Sequence, residues 1–304
     1  MNPDLSYSLV NVPSRTPGTY LDVACWKPNI PGPFPVIIAG HGMTLTKDAG
    51  LKAFAQRWAT NAGFASLLMD YRGFGSSGGE PRNLVSLKNQ TEDFLSVVEW
   101  VKANSDQFRV DKIVVMGSAM SGLNVAELVV RCKDLAGGMA HCPLLDGYAT
   151  LMSLDPNPRL LFWAAVDCAK SWLGLAPLYV PAVGKPGEFA FINSPTSYTG
   201  FTKMYEKGDR PFSEMPNVLA ARLAFEVFSA RPGLMLKNAK SPMLIVMAEE
   251  DDMIPVAITR DVVAKSCGKV EFVAAPGGHY DVMEGGKGFE TNISAQVDFL
   301  RRLL

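Results

Sequence analysis

Residues 112–122 read KIVVMGSAMSG and contain the motif from which the fold can be assigned. The apolar run KIVVM predicts a buried strand, and GSAMSG follows it directly. A strand that leads through a tight turn into a helix is typical of a nucleophile elbow. The central residue of such a turn is strained, so the residues two before and two after it must be small. Gly117 and Ser121 meet this requirement around Ala119, which places alanine at the nucleophile position.

Neither neighbouring serine fits the same position. A turn centred on Ser118 would put two methionines in the crowded positions, and a turn centred on Ser121 would put Leu123 in one of them. Both alternatives also misplace the turn relative to the strand. We therefore expect Ser118 and Ser121 to flank the nucleophile position and not to occupy it.

On both sides of the elbow, short apolar runs alternate with helical patterns. Near-continuous apolar runs predict strands that are covered on both faces, as in a mainly parallel sheet with crossover helices. The predicted strands are 7–12 and 20–26, which look like an opening hairpin, and 35–39, 64–69, 112–116, 135–142, 242–247 and 270–274. The predicted helices, with apolar residues at three- and four-residue spacing, are 51–62, 89–103 and 289–304. The fold class is α/β.

The alternation breaks between residues 146 and 240. This segment is rich in Leu, Phe, Trp, Met and Pro, with helical patterns at 159–173 and 215–228 and a Pro/Gly-punctuated stretch at 175–200. We expect residues 1–145 and 241–304 to form the core and residues 146–240 to form an inserted, largely helical cap. Ordinary peripheral helices are the alternative.

A candidate base and its carboxylate follow the last two predicted strands. His279 lies in GGHYD, after the final strand and before the final helix. Asp251 lies in a loop after the strand PMLIVM, with Glu250 and Asp252 as competitors. A catalytic imidazole needs a carboxylate that fixes its orientation. The alternatives are a surface-loop histidine and a plain acidic turn.

The other two histidines receive supporting roles. His41 follows the strand PVIIA, in a turn where the backbone N–H of Met43, together with that of Met120, would form an oxyanion hole. We expect His41 to brace this loop and His141 to line the floor of the site or the core. No cluster of side chains completes a metal site around His141, so neither a metal nor a cofactor is expected.

Composition excludes several classes of function. The chain has 304 residues, is 48% hydrophobic and carries a formal charge of -1. It therefore lacks the strong positive field that would attract a nucleic acid or an anionic membrane. The five cysteines are scattered and the N-terminus has no signal-peptide pattern, so we expect reduced thiols and a cytoplasmic protein. The glycine-rich run at 70–79 lacks the lysine of a phosphate loop and is interpreted as a structural turn.

These motifs together resemble an α/β-hydrolase over nearly the whole chain. The HG turn at His41, the DYRGFGSSGG turn, the elbow, the acid loop and GGHYD occur in family order. More narrowly, the chain is similar to capped serine hydrolases of bacteria and of fungal polyketide pathways. In those, stretches like CPLLD (142–146), PGEFA (186–190) and ARLAFEVFSARPG (221–233) recur. The resemblance implies hydrolysis of an ester, thioester or amide, or transfer of a polyketide acyl group to an alcohol.

The chain departs from that family at Ala119, where the family carries serine. A methyl group cannot attack a carbonyl, so covalent catalysis by this chain should be absent. One explanation is an engineered Ser→Ala change, and the other is a natural member that binds a ligand or works as an acid–base lyase or cyclase. The intact Asp251, His279 and oxyanion turn favour the first explanation.

The substrate is expected to be a small molecule with a medium-sized apolar or aromatic acyl group. An acyl carrier protein is a further expected partner, whereas the oligomeric state stays open. The expected pocket combines His41 and His141 with aromatic residues of the cap, each of which could equally pack between cap and core. These aromatic residues are Phe162, Trp163, Trp172, Phe189, Phe191 and Tyr205.

Overall fold

The computed structural model of this protein describes residues 4–206 and 211–304. Within that part of the chain, eight strands form one sheet and two short strands form another. The strands are β1 (Leu5–Pro13), β2 (Tyr20–Pro28), β3 (Phe34–Gly40), β4 (Ala65–Met69), β5 (Phe108–Ser118), β6 (Gly137–His141), β7 (Tyr179–Pro181), β8 (Val218–Ala220), β9 (Met243–Ala248) and β10 (Val270–Ala275).

The large sheet has the strand order β1-β2-β4-β3-β5-β6-β9-β10. The predicted hairpin is confirmed, because β1 pairs antiparallel with β2, which in turn pairs antiparallel with β4. All later neighbours are parallel. Every residue of β3, β4, β6 and β9 is buried, as expected for apolar runs that helices cover on both faces.

Helices connect the strands and cover the sheet. They are α1 (Lys52–Ala62), α2 (Leu87–Ala103), α3 (Gly122–Arg131), α4 (Gly147–Ser153), α5 (Pro158–Trp172), α6 (Ser197–Glu206), α7 (Leu223–Ser229), α8 (Val256–Ala264) and α9 (Phe289–Leu303). Helix α1 packs against α9 and α2 packs against α3. The carboxyl ends of β3, β5, β6, β9 and β10 meet at one edge of the sheet, where the loops that carry the candidate site begin.

The glycine-rich turn after β4 is built around a buried ion pair. Lys47 Nζ lies 2.6 Å from Asp22 and 2.9 Å from Asp70, and all three residues are buried. A Cβ added at Gly75 would lie 2.0 Å from the Asp70 carboxylate, so only glycine fits there. The turn therefore has the structural role predicted from its sequence.

The segment predicted as a cap supplies α4, α5, β7, α6, β8 and α7, and none of its described residues joins the large sheet. Two buried carboxylates join distant parts of this segment to each other: Asp167 accepts hydrogen bonds from Arg222, and Asp146 accepts them from Arg231. Asp146 and Arg231 belong to the CPLLD and ARLAFEVFSARPG stretches. Residues 207–210 of this segment lie outside the described residues.

The helix predicted at 215–228 is wrong in its first half. There the chain forms β8 (Val218–Ala220), and helix α7 begins only at Leu223. Pro216 explains the extended backbone of Met215 (φ -93°, ψ 140°), because proline disfavours helical backbone at the residue before it. The short strand that follows pairs antiparallel with β7.

In the described part of the chain, each helix is too short or too polar to cross a membrane.

Candidate active site

The elbow after β5 has the strained backbone that its sequence predicts. Ala119 has φ +48°, in the left-handed region that residues with a side chain rarely adopt. A Cβ at Gly117 would lie 2.6 Å from the carbonyl oxygen of Ser121, so the turn requires glycine at this position. The Ala119 carbonyl accepts a hydrogen bond from Leu144 N at 3.0 Å, which ties the elbow to the loop after β6.

The structure brings His279 and Asp251 together. His279 Nδ1–H donates to Asp251 Oδ2 at 2.7 Å, since a carboxylate can only accept. Asp251 Oδ1 accepts from the backbone N–H groups of Met253 and Ile254. Burial would raise the pKa of Asp251, but the charge and hydrogen bond of His279 and these amides outweigh burial and hold that pKa below its usual value. In the neutral form of the ring, this hydrogen bond keeps the proton on Nδ1, and Nε2 then carries the lone pair that a general base needs.

The two competing acids lie elsewhere. Asp252 accepts hydrogen bonds from the backbone N–H and the hydroxyl of Thr196 in the predicted cap. Glu250 is exposed and pairs with Lys287 at 3.5 Å. The structure thus pairs only Asp251, of these three acids, with the imidazole of His279.

The turn after β3 packs against the elbow. A Cβ added at Gly42 would meet the Ala119 methyl group at 3.5 Å, an ordinary van der Waals contact. Met43 and Met120, whose N–H groups are the predicted oxyanion donors, both line the cavity at this point. His41 is buried, its pKa is lowered by burial to about 4, and its Nδ1–H donates to the Gly42 carbonyl at 2.9 Å. This hydrogen bond suits the bracing role proposed for it.

One cavity of about 860 Å³ joins these elements. Ala119 and His279 both line it, as do residues of the predicted cap from α4, α5, α6 and α7. Methionine is unusually common in the lining, and its flexible thioether chain adapts to ligands of different shape. The lining methionines are Met43, Met120, Met152, Met204, Met253 and Met283. In the sequence, the only sign of this methionine-rich lining is the total of 14 methionines.

Only part of the predicted pocket lines this cavity. His141 and Phe191 belong to the lining. The other predicted residues do not line this cavity, so the predicted pocket was wrong for them. Side chains of α5 face outward or pack on neighbours: Phe162 is 60% exposed, Trp172 is 87% exposed, and Trp163 packs against Phe162. The remaining three are engaged in other contacts: Phe189 lies under the Arg159 guanidinium, Tyr205 stacks on Phe212, and His41 packs against Tyr71.

Cys142 lies beside Asp251 and His279, and the sequence predicts no catalytic role for it. Its Sγ, a carboxylate oxygen of Asp251 and a ring nitrogen of His279 all lie within 4.8 Å of one another, a spacing that could hold a metal ion. Burial raises the pKa of the Cys142 thiol well above its usual value, and the Asp251 charge raises it further. Zinc binds the thiolate form, and His279 and Asp251 already bond to each other, so this donor set suits a protonated thiol better than a metal.

The sequence as a whole matches a known family. Residues 32–282 match the family model described as serine aminopeptidase, S33, which accounts for most of the chain. The chain belongs to this family. Like other S33 α/β-hydrolases, it has a mostly parallel sheet flanked by helices, and the predicted fold class is confirmed.

Relatives of this S33 family member include proteins named for different activities. The chain is 29% identical to the quorum-quenching protein AidA of Acinetobacter baumannii, covering 98% of each chain. It is 27% identical to the polyketide transferase ATR5 of Stachybotrys chlorohalonatus, covering 89% of each. The crystal structure of the α/β-hydrolase GrgF from Penicillium sp. superposes with a TM-score of 0.79 at 25% identity, covering 98% of each chain.

Proposed function

We propose that this site belongs to an acyl hydrolase that acts on an ester, thioester or amide of a medium-sized, apolar acyl group. The proposal rests on one observation: the strained elbow position 119 and a carboxylate-oriented imidazole line the same apolar cavity. On this proposal, Ala119 is an engineered replacement, and the parent protein, by which we mean the protein before that change, has serine at position 119. The chain with Ala119 keeps the cavity, the base and the oxyanion turn but has no nucleophile.

The mechanism of the parent protein follows from these positions. The hydroxyl oxygen of a serine at position 119 attacks the acyl carbonyl carbon while His279 Nε2 takes its proton. The negative oxygen that forms is stabilised by the N–H groups of Met43 and Met120, at about 3 kcal/mol per donor. His279 then gives the proton to the leaving group, whose bond to the carbonyl carbon breaks. Asp251 keeps the imidazole in the required tautomer and stabilises its positive charge.

Release of the acyl group needs a second nucleophile, activated by His279 in the same way. Water gives hydrolysis, whereas an alcohol gives acyl transfer. The polyketide transferases among the relatives and the apolar lining favour transfer as the second candidate, since an apolar cavity excludes water. An acyl carrier protein is the partner we propose for that reaction.

Restoring the serine tests this proposal. The Ala119→Ser variant should hydrolyse activated esters and acyl thioesters, with a turnover about a million-fold above that of the chain with Ala119. Turnover is measured by release of the leaving group, with and without added alcohols as acceptors. A folded Ala119→Ser variant that is inert towards esters and thioesters that it binds would contradict the proposal and favour a ligand-binding protein or a lyase.

A further inference from the structure

A chain of five buried polar side chains leads to the cavity and has no part in the mechanism above. It begins at Trp58 in α1, passes through Gln296 and Asn292 in α9 and His141 in β6, and ends at Ser118. Four of these residues are at most 1% exposed, and Ser118 is 6% exposed. Its last three members look like a second Ser–His–Asn triad, so the direction of their hydrogen bonds decides what Ser118 can do.

The first two hydrogen bonds fix which group donates and which accepts along this series of side chains. The indole N–H of Trp58 can only donate, and it donates to Gln296 Oε1 at 2.9 Å. Gln296 therefore presents its Nε2, which donates to Asn292 Oδ1 at 2.7 Å. A second contact fixes Asn292 independently: its Nδ2 donates to the backbone carbonyl of Val282 at 3.0 Å, and a carbonyl can only accept.

The remaining N–H of Asn292 faces the histidine. Asn292 Nδ2 lies 3.2 Å from His141 Nδ1, so Nδ1 accepts and carries no proton. Burial lowers the pKa of His141 to about 3, with a further contribution from His279, and the ring is therefore neutral. Its single proton sits on Nε2, which donates to Ser118 Oγ at 2.8 Å. His141 thus cannot take a proton from Ser118 at this nitrogen.

The hydroxyl proton of Ser118 is left to be donated elsewhere. Across residues 4–206 and 211–304, the structure shows no acceptor for it, and both Ser118 and His141 line the cavity. Ser118 and Ala119 line the same cavity, so one ligand there can place its scissile carbonyl at position 119 and a second acceptor oxygen at the Ser118 hydroxyl. We propose that Ser118 donates a hydrogen bond to a keto oxygen at the β position of the acyl group, and that this hydrogen bond selects β-keto acyl groups. This inference rests on the proposed function.

The test measures binding to the chain with Ala119, which cannot turn the ligand over. The probes are the β-oxooctanoyl and octanoyl thioesters of N-acetylcysteamine, and their dissociation constants are measured by calorimetry. We expect about tenfold tighter binding of the β-oxo compound, as for one added hydrogen bond in a buried site. Ser118→Ala should remove this preference by weakening binding of the β-oxo compound alone.

Two further variants guard against a structural effect. Ser118→Cys keeps the volume but donates only weakly, and it should lose the preference as Ser118→Ala does. Ser66→Ala removes a buried hydroxyl in β4 that does not line the cavity, and it should keep the preference. A preference that survives in Ser118→Ala or Ser118→Cys, or that is absent from the chain with Ala119, overturns the inference.

Failure of the two proposals can be distinguished. If Ala119→Ser turns over esters but the chain with Ala119 shows no β-oxo preference, the role of Ser118 is overturned and the hydrolase assignment stands. If the preference is present and depends on Ser118 while Ala119→Ser is inert, the role of Ser118 stands in a protein that only binds its ligand.

Discussion

Two histidines line the same cavity, and their partners prepare them for opposite tasks. Nδ1 of His279 faces the carboxylate of Asp251, so it carries the proton and leaves Nε2 as a base. Nδ1 of His141 faces the amide of Asn292, so Nε2 carries the proton and donates. The group opposite Nδ1 thus decides whether the other nitrogen takes or gives a proton. Proximity of a histidine to a serine is not enough to identify a nucleophile.

The strongest way to separate the two histidines is to replace each in the Ala119→Ser variant. His279→Gln removes the only base that this account provides, so kcat should fall about a million-fold. His141→Gln should lower kcat/KM by no more than about tenfold, because His141 acts only through the hydrogen bond to Ser118. Ester turnover by both variants gives the comparison. Equal losses in the two variants would show that the histidines do not differ as described.

Reversing the polarity of the bond to His141 should make the two histidines alike. Asn292→Asp places a carboxylate opposite Nδ1, which then has to carry a proton. The change also puts a charge in a buried site and leaves the Val282 carbonyl without its donor, so the free energy of unfolding should fall by about 3 kcal/mol.

Nitrogen chemical shifts report the tautomer directly, and the chain has only three histidines to assign. His141 Nδ1 should have the shift of a bare nitrogen in the chain with Asn292 and that of a protonated nitrogen after Asn292→Asp. A protonated Nδ1 before the substitution would mean that the hydrogen-bond chain runs in the other direction.

The two buried histidines should also make stability depend on pH. Burial lowers the pKa of His41 to about 4 and that of His141 to about 3, whereas an unfolded histidine has a pKa of about 6.5. As pH falls from about 6.5 to about 4, the unfolded chain binds protons that the folded chain excludes. The free energy of unfolding should therefore fall, by at most about 1.4 kcal/mol per pH unit for each histidine.

Urea denaturation at a series of pH values measures this slope. His141→Gln removes one of the two buried histidines and should reduce the slope by up to about 1.4 kcal/mol per pH unit. Asp93, whose pKa is raised by burial to about 6, contributes an opposite slope that is the same in both chains. A slope that His141→Gln leaves unchanged would show that His141 does not resist protonation in the folded state.

The sequence could predict the fold because most central strands are continuous apolar runs, from PVIIA in β3 to PMLIVM in β9. Such runs need cover on both faces, and the connections between them admit few topologies. His279 and Asp251 lie in loops that follow predicted parallel strands, and the carboxyl ends of such strands share one edge of the sheet. The pairing of His279 with Asp251 could therefore be predicted from the sequence.

The aromatic lining was not predictable in the same way. A helix such as α5 has apolar side chains on more than one face, and the face that meets the cavity depends on how the whole segment docks. Phe162 and Trp172 consequently point to solvent, while Phe191 reaches the ligand cavity. The hydrogen bond between His141 and Asn292 joins residues 151 positions apart, and no local pattern signals it.

Covalent labelling of the Ala119→Ser variant with a fluorophosphonate tests the central claim most directly, because only an activated serine reacts. Peptide mass mapping then locates the adduct on one of two adjacent residues. This account predicts a single adduct at position 119, formed only while His279 is present, and none on Ser118. An adduct on Ser118, or labelling that persists after His279→Gln, would contradict it.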